Sequence, residues 1–295
     1  MKNLRKVVFP AAGLGTRFLP VTKSTPKEML PIVDKPLIQY GVEEALKSGF
    51  RDIIIVTGRG KNAIEDYFDY SYELEDVLSK RQDNGILEEI RKMPKEVDVA
   101  YIRQKNPLGL GHAIMCAENL ICDEPFGVIL ADDIIDAKIP VLKQLTEMAK
   151  KLNAPVIALM EVPKEMVKKY GIVKGKKINS RLWEIEDMVE KPDVFVAPSN
   201  LAIIGRYILP AKIFYYLKKV KPGKNGEIQL TDALKMYAKK NKIYGYLFEG
   251  TRYDGGDKLG YLEANIKFAL KRKELRQGLL KILTQVVENE CAQKR

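Results

Sequence analysis

Gly13, Gly15, Arg17, Lys23 and Lys27 follow a short apolar run that ends at Pro10. Glycines let backbone N–H groups approach an anion closely, and the cations just behind them carry more charge than backbone dipoles supply. Ala12, Gly13, Gly15 and Thr16 therefore form a candidate cradle for a phosphate chain. Two other phosphate loops do not fit: a dinucleotide-binding loop needs a third glycine where this chain has Phe18, and a P-loop needs Gly-Lys-Ser/Thr after four intervening residues. Residues 18–31 continue as a long loop stiffened by Pro20, Pro26 and Pro31, with Lys27 and Glu28 inside it.

Carboxylates supply the second chemistry. Asp132 lies just past an apolar strand, where a hard oxygen ligand suits a Mg²⁺ that also binds phosphate oxygens. Asp133 is either its helper or a turn residue. Asp254, before Gly255 and Gly256, reads as a turn former, and Asp257 as a helix cap. Gln104 and Gly109 flank a loop, and a primary amide can donate to and accept from the edge of a nucleobase. Glu190 and Lys191 read on their own as an ordinary exposed pair. His112 is the only histidine, which excludes histidine-cluster metal sites and leaves one imidazole for any triad.

These residues need strand ends to hold them. Apolar runs at 6–10, 52–57, 99–103 and 126–130 alternate with helical spacing at 36–48, 61–68, 72–92, 111–120 and 140–151, the third helix broken near Asn84-Gly85. That rhythm predicts an α/β fold: a doubly wound, mostly parallel, Rossmann-like sheet. Shorter extended pieces at 156–160, 171–173, 183–189 and 200–205 predict an antiparallel addition. Helices at 212–218 and 228–240, a strand at 244–249 and a mostly helical 259–287, with Gly278 a candidate break, complete the chain.

Composition narrows the class. The 295 residues are 46% hydrophobic and 30% charged, enough for a buried core in one large domain. Cys116, Cys122 and Cys291 show no CxxC spacing, so reduced thiols and a cytoplasmic location are expected, and no apolar run is long enough for a membrane span. The net charge of +11 sits mainly in residues 211–243, with nine lysines against two acids, and residues 266–295, with eight basic residues against three acids. Lysine runs such as Lys218-Lys219 and Lys239-Lys240 lack aromatic interleaving, so these stretches read as solvated helix faces rather than a nucleic-acid platform.

The motif Gly13-Leu14-Gly15-Thr16-Arg17, followed by Pro26-Lys27-Glu28-Met29-Leu30-Pro31, resembles the signature of the sugar-nucleotide pyrophosphorylases. The likeness continues through Gly109-Leu110-Gly111-His112-Ala113, Asp132-Asp133, Glu190-Lys191-Pro192, residues 226–232 and Tyr253-Asp254-Gly255-Gly256-Asp257-Lys258. Its wording is similar to the bacterial branch that uses UTP and glucose 1-phosphate; the thymidylyl branch more often reads Lys-Gln-Leu-Leu-Pro in the second motif.

The resemblance implies the nucleotide-diphospho-sugar transferase type of fold, with an antiparallel sugar-binding addition and a C-terminal helical region. It implies nucleotidyl transfer by in-line attack of a sugar phosphate on the α-phosphorus of UTP, assisted by Mg²⁺ and without a covalent intermediate. Arg17, Lys27, Asp132 and Lys191 would be the catalytic groups, and Asp132 with Asp254 the metal ligands. Ala12, Gly13, Gly15, Thr16, Glu28, Gln104 and Gly109 would bind the nucleotide; Gly171, Glu190 and Lys191 would bind the sugar phosphate. Catalysis spans residues 1–257, divided near 153/154 into nucleotide and sugar-binding halves, with 258–295 a possible contact in a dimer or tetramer. Expected partners are the two small substrates and further copies of the chain, not nucleic acid or membrane. A thymidylyltransferase, another sugar-phosphate nucleotidyltransferase, and a non-catalytic nucleotide- or nucleic-acid-binding protein are the alternatives.

Overall fold

The computed structural model describes residues 1, 3–223 and 226–292. Its strands are β1 (Lys6–Pro10), β2 (Pro31–Ile32), β3 (Lys35–Pro36), β4 (Asp52–Thr57), β5 (Asp98–Arg103), β6 (Phe126–Ile129), β7 (Asp133–Asp136), β8 (Val156–Glu161), β9 (Gly171–Lys177), β10 (Leu182–Glu190), β11 (Leu201–Leu209), β12 (Tyr244–Leu247) and β13 (Thr251–Asp254). The helices are α1 (Leu37–Lys47), α2 (Asn62–Phe68), α3 (Tyr72–Lys80), α4 (Asn84–Glu96), α5 (Leu110–Cys116), α6 (Glu118–Ile121), α7 (Val141–Leu152), α8 (Ile213–Leu217), α9 (Leu230–Ala238), α10 (Lys258–Lys271) and α11 (Lys273–Ala292).

One nine-stranded sheet in the order β5-β4-β1-β6-β11-β8-β12-β10-β9 organises the fold. β5, β4, β1 and β6 are parallel; β11 runs antiparallel to both β6 and β8, and β10 antiparallel to both β12 and β9. The sheet is thus parallel from β5 to β6 and mainly antiparallel beyond it. The parallel strands read as continuous apolar runs because helices cover both faces. Val7, Phe9, Ile53 and Ile55 enter one buried cluster with α1 and α7, while Val8, Ile54 and Val56 enter the other with α5, α8 and α9. Adjacent residues of a strand therefore feed opposite cores, as the pleat requires.

The break expected near Asn84-Gly85 is present at residues 81–83, between α3 and α4: Asn84 and Gly85 open α4, and Asp83 caps it by accepting from Ile86 N at 3.4 Å. Gly278 lies inside α11, where glycine is tolerated at about 1 kcal/mol relative to alanine. The break falls at Arg272, whose backbone is extended and whose guanidinium pairs with Asp34. α10 docks through Ala264 and through Phe268, which meets the rings of Tyr40 and Tyr253 edge-on. α11 buries none of its residues. Residues 293–295 of the expected C-terminal region, and Lys224 of the first basic run, lie outside the described residues. Lys218, Lys219, Lys239 and Lys240 are exposed. Among the described residues no helix is long and apolar enough to cross a membrane.

Candidate active site

The four parallel strands end at one edge, and the loops leaving that edge carry most of the singled-out residues. The chain leaves β1 with Ala11 N donating to Val56 O at 2.8 Å. Ala12 packs so closely on Gly58 that a Cβ there would lie 3.0 Å from Ala12 O. Gly13 is exposed, with only Lys27 near its open side. Gly15 has φ 65° and precedes the short turn Thr16–Phe18; Thr22 Oγ1 donates to Gly15 O at 2.8 Å and holds the loop back on itself. No α-helix opens here, so a bound phosphate would meet backbone N–H groups and the cations of Arg17 and Lys27 rather than a macrodipole.

Glu28 is 1% exposed. Lys61 Nζ lies 2.7 Å from Glu28 Oε2, whereas Glu28 Oε1 is buried without a hydrogen-bond partner among the described residues. Burial raises the Glu28 carboxyl above its usual range against the pull of Lys61, and burial lowers the Lys61 ammonium against the pull of Glu28. Gln104 caps the neighbouring strand, its N–H donating to Thr57 O at 2.8 Å. Its side-chain nitrogen lies 3.2 Å from Gly109 O and 2.9 Å from His112 Nδ1. With the amide nitrogen facing Gly109 O and the His112 ring, the amide oxygen is the group left to accept from a ligand. Gly109, at φ 91°, lies so close to α9's leading loop that a Cβ would meet Glu227 Cβ at 2.8 Å.

Asp132 lies between β6 and β7, and Lys27 Nζ reaches its Oδ2 at 2.6 Å. Burial would raise the Asp132 carboxyl, but Lys27 and, further off, Arg17 bring it below its usual range. Burial likewise opposes the charge on Lys27, and Asp132 and Glu28 more than offset it. Asp254 was expected in a loop. It instead ends β13, directly opposite Asp133 of β7, because residues 251–254 pair with 133–136 as a separate two-stranded sheet. Its Oδ1 accepts from Gly256 N at 3.0 Å, so it also forms the turn. A Cβ on Gly256 would lie 2.9 Å from Asp132 Oδ2 and 3.2 Å from Asp254 Oδ1, so the two carboxylates converge on the face that glycine leaves open. Two hard oxygens beside a bound cationic group suit Mg²⁺, which keeps positions for water and phosphate. Among the described residues no three His, Cys, Asp or Glu side chains form a closed metal cage.

Asp133 closes the turn after β6, its N–H donating to Leu130 O at 3.2 Å; its side chain is buried, accepts from Gly205 N at 2.9 Å and pairs with Arg252. Beneath it the fully buried Arg206 forms a fork with Glu44, its Nη2 2.8 Å from Oε2, and donates to the carbonyls of Leu130 and Asp133. The loop bearing Asp132 is thus fixed from below. Asp257 caps α10 through Gly260 N at 3.4 Å.

The antiparallel addition supplies the other side. β9 and β10 pair Gly171 with Glu190, and Thr231 Oγ1 of α9 donates to Glu190 Oε2 at 2.6 Å. A Cβ on Gly171 would lie 2.9 Å from Thr231 Oγ1 and 3.1 Å from Glu190 Oε2, so glycine is needed for that bond. Lys191 is exposed, with its Nζ 3.6 Å from Glu190 Oε1. Its backbone is left-handed at φ 45°, and its N–H donates to Tyr170 O at 2.9 Å.

Sequence reasoning missed Lys61, Tyr170, Thr231, Arg206 and Arg252. Lys61 had a usable signal, a lysine just past the end of a parallel strand, and Thr231 lay within a motif already noted.

A phosphate cradle and paired carboxylates at the carboxyl edge of a parallel sheet, beside a charged antiparallel pocket, define enzymes that transfer a nucleotidyl group between phosphates. Comparison with known proteins agrees: residues 6–270 match the family described as nucleotidyl transferase, and the chain belongs to that family. It is 49% identical to the UTP--glucose-1-phosphate uridylyltransferase of Bacillus subtilis (strain 168), over 98% of this chain and 99% of that protein. A UDP-glucose pyrophosphorylase complexed with UDP-glucose superposes with a TM-score of 0.84 at 51% identity, covering 91% of this chain and 100% of that one. The UTP-bound enzyme of Acinetobacter baumannii gives 0.88 at 39% identity, covering 95% of this chain and 99% of the other.

Proposed function

We propose that this enzyme joins UTP and glucose 1-phosphate into UDP-glucose and pyrophosphate. The observation that carries the reading is the meeting of Lys27, Asp132 and Asp254 at Gly256, at the edge where the glycine loop also ends. The names of the full-length relatives supply the substrate pair.

In this reading the triphosphate lies along residues 12–16, with Arg17 and Lys27 on the β- and γ-phosphates, where charge accumulates as pyrophosphate leaves. Gln104 offers its oxygen to the N3–H of uracil; Glu28 and the backbone at Ala12, Gly13 and Gly109 complete the base pocket. Asp132 and Asp254 would hold Mg²⁺, which supplies charge neutralisation between the two anionic substrates. Lys191 binds the phosphate of the sugar, and Glu190, aimed by Thr231, accepts from its hydroxyls. The attacking phosphate is already ionised, so no side chain needs to remove a proton, and a chain with one histidine suffices. Holding two anions together for in-line attack is the main work of the protein.

Residues 1–153 form the nucleotide half of the catalytic unit, residues 154–257 the sugar half, and the C-terminal helices an appendage for self-association. The exposed Leu280, Ile282, Val286 and Val287 of α11 support a homo-oligomer, dimer or tetramer. Cys116, Cys122 and Cys291 are free thiols, which suits the cytoplasm.

The direct test is pyrophosphate release from UTP with Mg²⁺, with and without glucose 1-phosphate, set beside dTTP and other sugar phosphates. Release that depends on both named substrates is expected. Release indifferent to the sugar phosphate refutes the assignment.

A further inference from the structure

Arg252 is a short distance from both halves of the site and belongs to neither by sequence motif. Its side chain is 9% exposed and its guanidinium contacts three groups. One nitrogen, Nη2, lies 3.1 Å from Asp254 Oδ2 and also pairs with Asp133; Nε lies 2.5 Å from Asp133 Oδ1. The remaining nitrogen, Nη1, donates to the hydroxyl of Tyr170 at 2.9 Å, and the guanidinium carbon lies 5.3 Å from the centre of that ring.

Each contact leads to a functional group. Asp254 Oδ2 is held by Arg252, which leaves Oδ1 on the side of Gly256 and Asp132. The backbone carbonyl of Tyr170 in turn accepts the backbone N–H of Lys191, a residue in the left-handed region that L side chains rarely adopt. A backbone held in that conformation needs a fixed partner, and Tyr170 is itself fixed by Arg252. A guanidinium suits this task because its rigid planar fork fixes the directions in which it serves a carboxylate and a phenol, whereas an ammonium is a point charge with freely rotating donors.

We propose that Arg252 is a positioning residue that sets Asp254, on the metal side, and Lys191, on the sugar-phosphate side, relative to one another. The proposal rests on the functional reading above. Arg252 need not touch either substrate; it acts through Asp254 on one arm and through Tyr170 on the other.

Two variants separate the arms. Tyr170→Phe removes the hydroxyl and keeps the ring and the backbone carbonyl, so only the link toward Lys191 is weakened. The KM for glucose 1-phosphate should rise about tenfold, with the KM for UTP and the half-saturating Mg²⁺ concentration unchanged. Arg252→Lys should raise both the KM for glucose 1-phosphate and the half-saturating Mg²⁺ by about 10–100-fold, the range for residues that orient metal ligands. Affinity for UDP-glucose in EDTA, measured by calorimetry, should weaken to a similar degree in both variants, since the metal arm is then silent.

Wild-type enzyme is assayed first. Without sugar-dependent pyrophosphate release in wild type, the functional reading itself fails. With an active wild type, an unchanged glucose 1-phosphate KM and unchanged UDP-glucose affinity in both variants overturn the proposal, and a fall in melting temperature alone marks Arg252 as a structural ion pair. Should Arg252→Lys not fold, Tyr170→Phe carries the test by itself.

Discussion

Lys27 Nζ and Asp132 Oδ2 are 2.6 Å apart, so the cation assigned to the leaving phosphates rests on the carboxylate assigned to the metal. The two neutralise one another in a partly buried setting, where Asp132 is held below and Lys27 above its ordinary pKa despite desolvation. Both are therefore charged throughout the neutral range. A triphosphate arriving with a divalent cation offers each a stronger partner, and the pair divides between them.

Asp132→Asn should remove Mg²⁺-dependent turnover by about 100-fold or more, on the scale of losing one electrostatic stabiliser of the transition state. Circular dichroism should show an unchanged fold, because Arg206, Glu44 and Asp133 fix the loop independently. Retained turnover would mean that another carboxylate holds the metal.

Lys191→Ala and Arg17→Ala should fail differently. The first should raise the KM for glucose 1-phosphate far more than that for UTP, whereas the second should chiefly lower kcat. Steady-state kinetics with each substrate varied in turn distinguish them, and equal small effects on both substrates count against the assigned roles.

Lys61→Met should destabilise the fold by about 3–5 kcal/mol at neutral pH, because it strands the buried Glu28 carboxylate. The loss should depend on pH with a definite sign. Burial already raises Glu28, and Lys61 is the largest influence against that rise, so the variant's folded pKa lies higher still. A raised folded pKa gives stability that is complete below the ordinary value of 4.5 and is lost as pH rises through the folded one. Urea unfolding between about pH 4 and pH 8 should show the deficit relative to wild type widening upward. A deficit that narrows instead would contradict the pairing.

Gly256→Ala should weaken Mg²⁺ dependence with little change in UTP binding under metal-free conditions. The new methyl would stand 2.9 Å from Asp132 Oδ2 and 3.2 Å from Asp254 Oδ1, so the carboxylates must move apart. The half-saturating Mg²⁺ concentration should rise by about tenfold or more. Unaltered metal dependence would show that the two oxygens do not act together.

The parallel core was legible in the sequence because β4, with Ile53, Ile54, Ile55 and Val56, is buried on both faces and spells an unbroken apolar run. Loops at the ends of such strands are where ligands bind, which brought Gly13, Gln104 and Asp132 into view. The antiparallel strands were found but drawn too short: β11 runs nine residues and contains Arg206, a charge that sequence alone gives no reason to bury. Its burial follows from Glu44, far away in the chain. Asp133, Tyr170 and Arg252 were illegible for the same reason, since each owes its role to partners that only the folded chain brings together. Gly278 misled in the opposite way, because an exposed helix tolerates a glycine that a corner does not require.

β11 is bonded to β6 on one side and to β8, with β9 at Ala202, on the other, and all nine of its residues are buried. It is the seam along which the parallel strands and the antiparallel addition are stitched. For anyone grafting a different antiparallel addition onto the parallel core, a junction within residues 201–209 would cut ladders on both flanks and strand Arg206 from Glu44. The transplant should instead span residues 162–200, carrying β9, β10 and the Glu190-Lys191 corner as one piece and leaving the seam with its host. Tyr170 travels with such a graft while Arg252 stays behind, so a donor segment lacking a hydroxyl at that position would arrive without its anchor to the host's guanidinium.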